Sequence, residues 1–429
     1  MSVVLSVSTL VGAAASITPE QVFVGWAAEF PFCYWLDAGR DADAESSWVG
    51  VGEPASIADI RAVRVHPAPS SPAEGWVGWF AYESGAARAG APVHLDGAGE
   101  DAWMRTTAAV EFAPAGGAIR VHAETPELAE ALAERLSALG PPEPAPEVTP
   151  QTQASSRHRP EEYAALIEAC REAIRLGDAY QLCLTTRFEM AVDVDPVDAY
   201  RRLRAASRAP HGGVIRMADR WLLSASPEQF LAVEDGRIRT DPIKGTRPRG
   251  VQQDADAALA EELRSDVKER AENVMIVDLM RNDLTRVCTT GSVTVQRLFE
   301  VESHPAVHQL VSTVTGNLVE GVGVGDILDA AFPAGSMTGA PKLSAMTILH
   351  RLEGHARGLF AGAFGWVGHS GQMRLAMVIR SVVIEPGRVY VGAGGGITWL
   401  SDPAFEVAEV GLKARAPLAA VGVLPPHGW

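Results

Sequence analysis

The sequence predicts an α+β fold. Helical and strand periodicities are mixed along the chain and do not alternate strictly, which disfavours a doubly wound parallel sheet. Three strand-like runs near the C-terminus, GLFAGAFGWVG, MRLAMVIRSVVIE and RVYVGAGGGI, follow one another through short polar turns, as antiparallel neighbours do. The 429 residues are 47% apolar and 21% charged, enough to bury a large core.

In chain order, the uncharged start MSVVLSVSTLVGAAAS lacks the positive region of a signal peptide and reads as a strand. GWVGWFAYE and TTAAVEFAP read as short strands, and PELAEALAERLSAL as a helix. Residues 141–160 are rich in Pro, Ser and Gln, have no apolar period, and read as a linker. EEYAALIEACREAIRLG is an amphipathic helix ending at Gly177. AYQLCLTTRFEM, WLLSASPEQFLAVEDG and RIRTDPIKG read as strands, and residues 254–285 as one long helical stretch. In SDPAFEVAEVGLKA, Asp402 is placed to cap a helix and Pro403 suits its first turn.

With 37 basic and 53 acidic residues the net charge is −16, so the chain as a whole carries no basic footprint for nucleic acid. An anionic ligand would need local positive charge or a metal. Cys33, Cys170, Cys183 and Cys288 are far apart and form no CxxC, which argues against a disulfide framework or zinc site and predicts a reducing, cytoplasmic setting. No other uncharged apolar run is long enough to span a membrane, so no membrane partner is expected.

Several constellations can carry chemistry. Glu269 and Glu272 lie three apart and share one helix face; Glu406, Glu409 and Lys413 do the same near the C-terminus. Two such carboxylate pairs suit a hard cation such as Mg²⁺. The same spacing equally gives Lys268–Glu272 and Glu409–Lys413 ion pairs on solvated faces. Lys244 follows a β-branched residue and precedes Gly245, with Arg247 and Arg249 close behind; desolvation and neighbouring positive charge favour the neutral amine of a nucleophile. A hairpin would bring Glu228 near it. Gly335, Ser336, Thr338 and Gly339 before a helix, and the GAGGG loop at 392–396, offer backbone N–H groups and hydroxyls to an anion, or are simple tight turns.

In order along residues 160–416, GDAYQLCLTTRF, SPEQF, PIKGTRPRG, AENVMIVDLMRNDL, VHQLVSTV, GSMTGAPK, the Arg380 strand, GGGI and SDPAFEVAE resemble the chorismate-utilising enzymes. CYWLDAG, SSWVG and GWVGWFAYE extend the likeness more faintly to the N-terminal part. The resemblance implies two large antiparallel sheets packed as a sandwich with helices outside. It implies an anthranilate synthase component I-like region over 1–140, a chorismate-binding catalytic domain over 161–416 and a tail from 417 to 429. It implies that Glu272 and Glu409 bind Mg²⁺, with Glu269 and Glu406 around it. Arg380, Lys413 and the backbone of Gly394, Gly395 and Gly396 are implied anion partners for the substrate carboxylates; Gly245, Thr246 and Thr338 are implied to line the substrate.

Lys244 in PIKGT and Gln181, where water-adding relatives carry a lysine base, resemble the aminodeoxychorismate synthase component I branch. What that implies is amino-group transfer from ammonia to chorismate, giving 4-amino-4-deoxychorismate for p-aminobenzoate and thence folate or a specialised metabolite. Glu228 would be the general acid and Lys244 the nucleophile. Anthranilate synthase component I or a 2-amino-2-deoxyisochorismate synthase is the alternative. No cysteine sits on a glycine-flanked elbow, so a separate glutaminase subunit is expected to make ammonia from glutamine. Gln309, Phe360, Cys183 and Leu400 depart from the usual pattern.

Overall fold

The computed structural model describes residues 6–9, 17–39, 45–95, 99–140, 142–150, 152–207, 209–304 and 307–429. Its centre is one long antiparallel sheet folded over on itself. Strand Ala102–Phe112 forms the corner: it pairs with Ser47–Ala55 on one side and with Gly75–Phe80 and Ile119–Ala123 on the other. One arm runs from Ser47–Ala55 through Phe32–Asp37, His211–Met217, Arg220–Ser226, Ser381–Glu385 and Arg388–Ile397 to Gln181–Met190. The other runs from Gly75–Phe80 through Ala363–Gly368, Met373–Met377, Gln229–Glu234 and Arg237–Thr240 to Val307–Asn317, which also pairs with Ile243–Pro248 and Thr294–Ser303.

The arms face each other across an apolar layer. Tyr34, Ile215, Leu222, Val383 and Tyr390 come from one arm, and Val77, Trp79, Phe364 and Ala376 from the other, in one buried cluster. The expected sandwich is therefore present, with its two layers continuous through the corner strand. Alternate residues of the first arm, among them Trp35, Val49, Leu223 and Val391, point outward. They bury Phe23, Leu132, Ile167, Leu203 and Val410 of the helices Pro19–Glu29, Pro126–Ser137, Pro160–Arg175, Pro196–Ala206 and Pro403–Ala420. All five open with proline in the first turn, and Thr18, Thr125, Asp195 and Asp402 cap theirs by accepting backbone N–H bonds. On the second arm, Val267–Thr285 and Val324–Ala331 pack through Ile276, Met280 and Ile327 with Leu231 and Ile238.

Several runs that read as single elements are broken. WLLSASPEQFLAVEDG is two strands separated at Pro227 and Glu228, since proline offers no ladder N–H. RIRTDPIKG divides at Asp241 and Pro242 for the same reason. MRLAMVIRSVVIE divides at 378–380, where Arg380 takes a left-handed φ of 53°. The helical stretch is two helices, Gln253–Ser265 and Val267–Thr285, meeting at Asp266, which caps the second by accepting the Glu269 N–H at 3.0 Å. The C-terminal helix continues through Pro417 to Ala420. Of the N-terminal apolar run, Ser6–Thr9 is a strand on Ile119–Ala123; the rest lies outside the described residues. Strands from either side of 141–160 are neighbours in the sheet: Phe32–Asp37 beside His211–Met217, and Gly75–Phe80 beside Ala363–Gly368.

Candidate active site

Where the ends of the two arms meet the helices Val267–Thr285 and Pro403–Ala420, they enclose a cavity of about 1000 Å³. Glu228, Lys244, Gly245, Thr246, Glu269, Glu272, Arg380, Gly394, Gly395, Gly396, Glu406, Glu409 and Lys413 all line it. Thr338 does not. It is fully buried, and its hydroxyl donates to the Ala334 carbonyl at 3.1 Å; Ser336, two residues earlier, lines the cavity in its place.

Lys244 reaches the cavity because its strand is bulged. The register against Val307–Asn317 shifts between Lys244 and Thr246, and the residue between them, Gly245, has φ of 74°. A Cβ there would lie 2.7 Å from Leu263 and 2.9 Å from the Glu269 carboxyl carbon, so glycine is required twice over. Gly396 closes the opposite wall. A Cβ on it would lie 3.3 Å from Lys244 Nζ, 3.4 Å from Glu272 Oε2 and 2.5 Å from Gln181 Nε2.

The glycine strand also presents backbone. Lys413 Nζ donates to the Gly394 carbonyl at 2.9 Å, while Thr185, opposite Gly394, gives its N–H to Glu353 at 2.9 Å. Gly394 is therefore at a non-hydrogen-bonded position of that ladder. Its N–H and that of Gly396, two residues on, point away from the neighbouring strand and remain available to an anion. Arg380 has no hydrogen bond or ion pair from its guanidinium among the described residues, and burial lowers its pKa. An anion in the cavity would answer that desolvated charge.

The lysine is not held neutral. Burial acts to lower the Lys244 pKa, but Glu272, Cys183, Glu228 and Glu409 outweigh it, and the pKa stands above the ordinary lysine value. The neighbouring positive charge expected from the sequence is spent elsewhere. Arg247 pairs with Asp266 at 2.9 Å and Glu262 at 3.1 Å, and Arg249 with Asp256 at 2.7 Å. Glu228 is 8% exposed, and burial pushes its carboxyl up to about 7 against the opposing pull of a Ser336 hydrogen bond and the charges of Lys244 and Lys413.

Four carboxylates from two helices share the cavity floor. Burial pushes Glu272 up to about 7, with Glu269 and Glu406 adding repulsion. Lys268, overlooked by spacing arguments beyond its own helix, crosses to Glu406 at 2.9 Å and lies 3.8 Å from Glu272. Lys413 takes Glu409 at 2.7 Å. Among the described residues no three carboxylates are gathered tightly enough to ligate a metal as they stand. Their chemistry nonetheless fits a hard divalent cation: all donors are oxygens, the charge is in excess, and an ammonium already stands between Glu272 and Glu406.

Other residues also line the cavity, among them three of the departures from the family pattern named above and two, Met337 and Ile379, without a sequence signal. Cys183, Gln309, Met337, Phe360 and Ile379 contribute to the wall. His308 is turned away, donating to or accepting from Asp256 and Ser303 at 2.8 Å each. Neither side-chain atom of the buried Gln181 amide has a hydrogen-bond partner among the described residues. The four cysteines are buried and unbonded to one another.

Residues 16–419 match the family described as chorismate binding enzyme. An aminodeoxychorismate synthase of Streptomyces pristinaespiralis is 36% identical over 94% of this chain and 63% of its own length. An aminodeoxychorismate synthase component 1 of Salmonella typhimurium is 44% identical over 58% of this chain and 55% of its own. The chain thus spans less than two thirds of the length of these relatives. The crystal structure of anthranilate synthase component I from Streptococcus pneumoniae matches with a TM-score of 0.74 at 28% identity, over 90% of this chain and 89% of that one. Sequence, architecture and cavity agree, and the chain belongs to the chorismate-binding enzyme family.

Proposed function

We propose that this chain is the chorismate-aminating component of an aminodeoxychorismate synthase, taking chorismate and ammonia to 4-amino-4-deoxychorismate and water. The observation that carries the reading is a lysine and a protonatable carboxyl lining one cavity: Lys244 and Glu228 share it, and the charges of Glu228 and Glu272 both act on the lysine. Its relatives named aminodeoxychorismate synthase support the same choice.

In this reading Arg380, Lys413 and the free N–H groups of Gly394 and Gly396 bind the substrate carboxylates. Glu272 and Glu409, with Glu269 and Glu406 beside them, would hold Mg²⁺. The ion would bind and polarise the ring carboxylate when present. Lys244 must first pass the proton that its carboxylate neighbours hold on it to the Glu228 carboxylate. Its amine then forms a bond to C2 while both ring double bonds shift and the C4 hydroxyl leaves as water with the Glu228 proton. Ammonia attacks C4, both double bonds shift back and the Lys244 amine departs, taking up the proton that the new amino group releases. The enolpyruvyl group is retained.

The four buried cysteines offer no activated thiol for glutamine hydrolysis. Ammonia would come from a separate glutaminase subunit, and the setting would be the cytoplasm. Anthranilate synthesis is the second reading, favoured by the Streptococcus pneumoniae neighbour. The test is to incubate the purified chain with chorismate, Mg²⁺ and ammonium and to identify the product by chromatography and mass. A non-aromatic amine retaining the enolpyruvyl group is expected. Anthranilate, or no amine, would overturn the reading.

A further inference from the structure

Ser336 stands out among the groups that the proposed chemistry leaves unused. Its sequence setting suggests an anion-holding loop, yet its hydroxyl donates to Glu228 Oε1 at 2.8 Å. The segment carrying it is clamped from two sides. The Met337 carbonyl accepts from Arg357 at 2.7 Å, and Gly335 packs so closely on Leu279 and Met280 that a Cβ would lie 2.8 Å and 3.3 Å from them. The Glu228 main chain is fixed as well, with its carbonyl accepting from Met377 N–H at 3.1 Å and its N–H donating to Ser226 at 3.3 Å. Among the described residues Oε2 has no partner.

We propose that Ser336 is a positioning residue that fixes which Glu228 oxygen carries the acid proton, keeping it on Oε2, the oxygen without a partner among the described residues. This rests on the reading of Glu228 as general acid. Because a hydroxyl donated to Oε1 makes that oxygen an acceptor, the proton of the neutral acid resides on Oε2. Once the proton is delivered, the same hydroxyl stabilises the carboxylate that remains. The charged groups facing Glu228 are Lys244 from the lysine strand and Lys413 from the C-terminal helix; the short helix Gly335–Thr338 presents the hydroxyl. All three stabilise the carboxylate, in opposition to burial.

The experiment is Ser336→Ala beside Ser336→Thr. Two readouts are used: amination at fixed free-ammonia concentration across pH, and the infrared carbonyl band of the Glu228 acid, isolated by difference against Glu228→Gln. In Ser336→Ala, kcat should fall about tenfold, the scale of one hydrogen bond to a charged group, with the KM for chorismate little changed. The Glu228 titration should move to higher pH, and Ser336→Thr should restore both. If Ser336→Ala does not fold, Ser336→Cys, which keeps the volume but donates weakly, takes its place. An unmoved Glu228 titration, or a kcat equal to the unsubstituted chain, overturns the proposal. Should the chain not aminate chorismate at all, the infrared titration still decides whether Ser336 governs Glu228.

Discussion

Lys244 Nζ lies 3.3 Å from the point where Gly396 would carry a Cβ, so the lysine stands directly against the bare backbone of the glycine strand in the cavity wall. Gly396→Ala should therefore disable the site more than the fold. The methyl would crowd Lys244, Glu272 and the Gln181 amide together. We expect kcat/KM to fall by about 100-fold, the scale of a misplacement near 1 Å, and overpacking to cost about 1–3 kcal/mol. Steady-state amination and thermal unfolding measure the two.

Glu228→Gln should trade activity for stability in a pH-dependent way. The folded carboxyl sits at about 7, against 4.5 for the ordinary group. A raised folded pKa means that the folded state holds the proton longer, so its stabilising effect is complete below about 4.5 and lost as pH rises through 7. Above pH 7 the unsubstituted chain must bury a carboxylate, at a cost of up to about 3 kcal/mol at about 1.4 kcal/mol per pKa unit. The glutamine variant should unfold at a higher temperature than the unsubstituted chain at pH 8 and at a similar one at pH 4.5, while its amination rate falls at least about 100-fold. Melting curves at the two pH values check the sign.

Withholding ammonia should trap the first displacement. A covalent adduct with the mass of chorismate less water should build up and map by tandem mass spectrometry to Lys244. Lys244→Ala should form none and lose amination. An active Lys244→Ala enzyme, with no adduct on the unsubstituted chain under rapid quench, would sink the nucleophile role.

Chelation should abolish amination, and Mg²⁺ should restore it. Glu272→Gln and Glu409→Gln should each weaken Mg²⁺ and chorismate binding together by at least about tenfold, because ion and ring carboxylate would bind one another. Calorimetric titration of each ligand with and without the other measures the coupling. Full activity in chelated enzyme would dismiss the ion.

Glu353→Ala should be the costliest of these changes to the fold. The Glu353 carboxylate holds Arg357 at 2.7 Å and 2.8 Å and also accepts the Thr185 N–H, all deep in the protein. Its removal leaves a buried guanidinium held by the Met337 and Cys183 carbonyls without its carboxylate partner, a kind of loss that typically costs about 3–5 kcal/mol. Denaturant unfolding measures it.

Much of this was legible in the sequence because the signals are local. Asp402 and Pro403 announced a helix start, and i,i+3 spacing put Glu269 with Glu272 and Glu406 with Glu409. The illegible parts depend on partners distant along the chain. The charge state of Lys244 is set by Glu272, Glu228 and Glu409, and Arg247 is neutralised by the next helix, so the immediate neighbours pointed the wrong way. Of Ser336 and Thr338, both candidates in the sequence, only Ser336 lines the cavity; a four-residue helix has too little periodicity to show which side faces it. The element breaks at Glu228 and Arg380 were hidden inside apolar runs, and both breaks carry cavity residues.

The fold-over at Ala102–Phe112 also governs what proteolysis can do to this molecule. A single cut within 142–150 would leave two polypeptides stitched together along Phe32–Asp37 with His211–Met217 and Gly75–Phe80 with Ala363–Gly368. The nicked protein would migrate as one particle. Stripping away the first 140 residues would instead bare the long strand edges of His211–Met217 and Ala363–Gly368, the kind of unpaired edge that drives aggregation. The early part of the chain thus acts as a selvedge for the late part, keeping its weave from unravelling into contact with other chains.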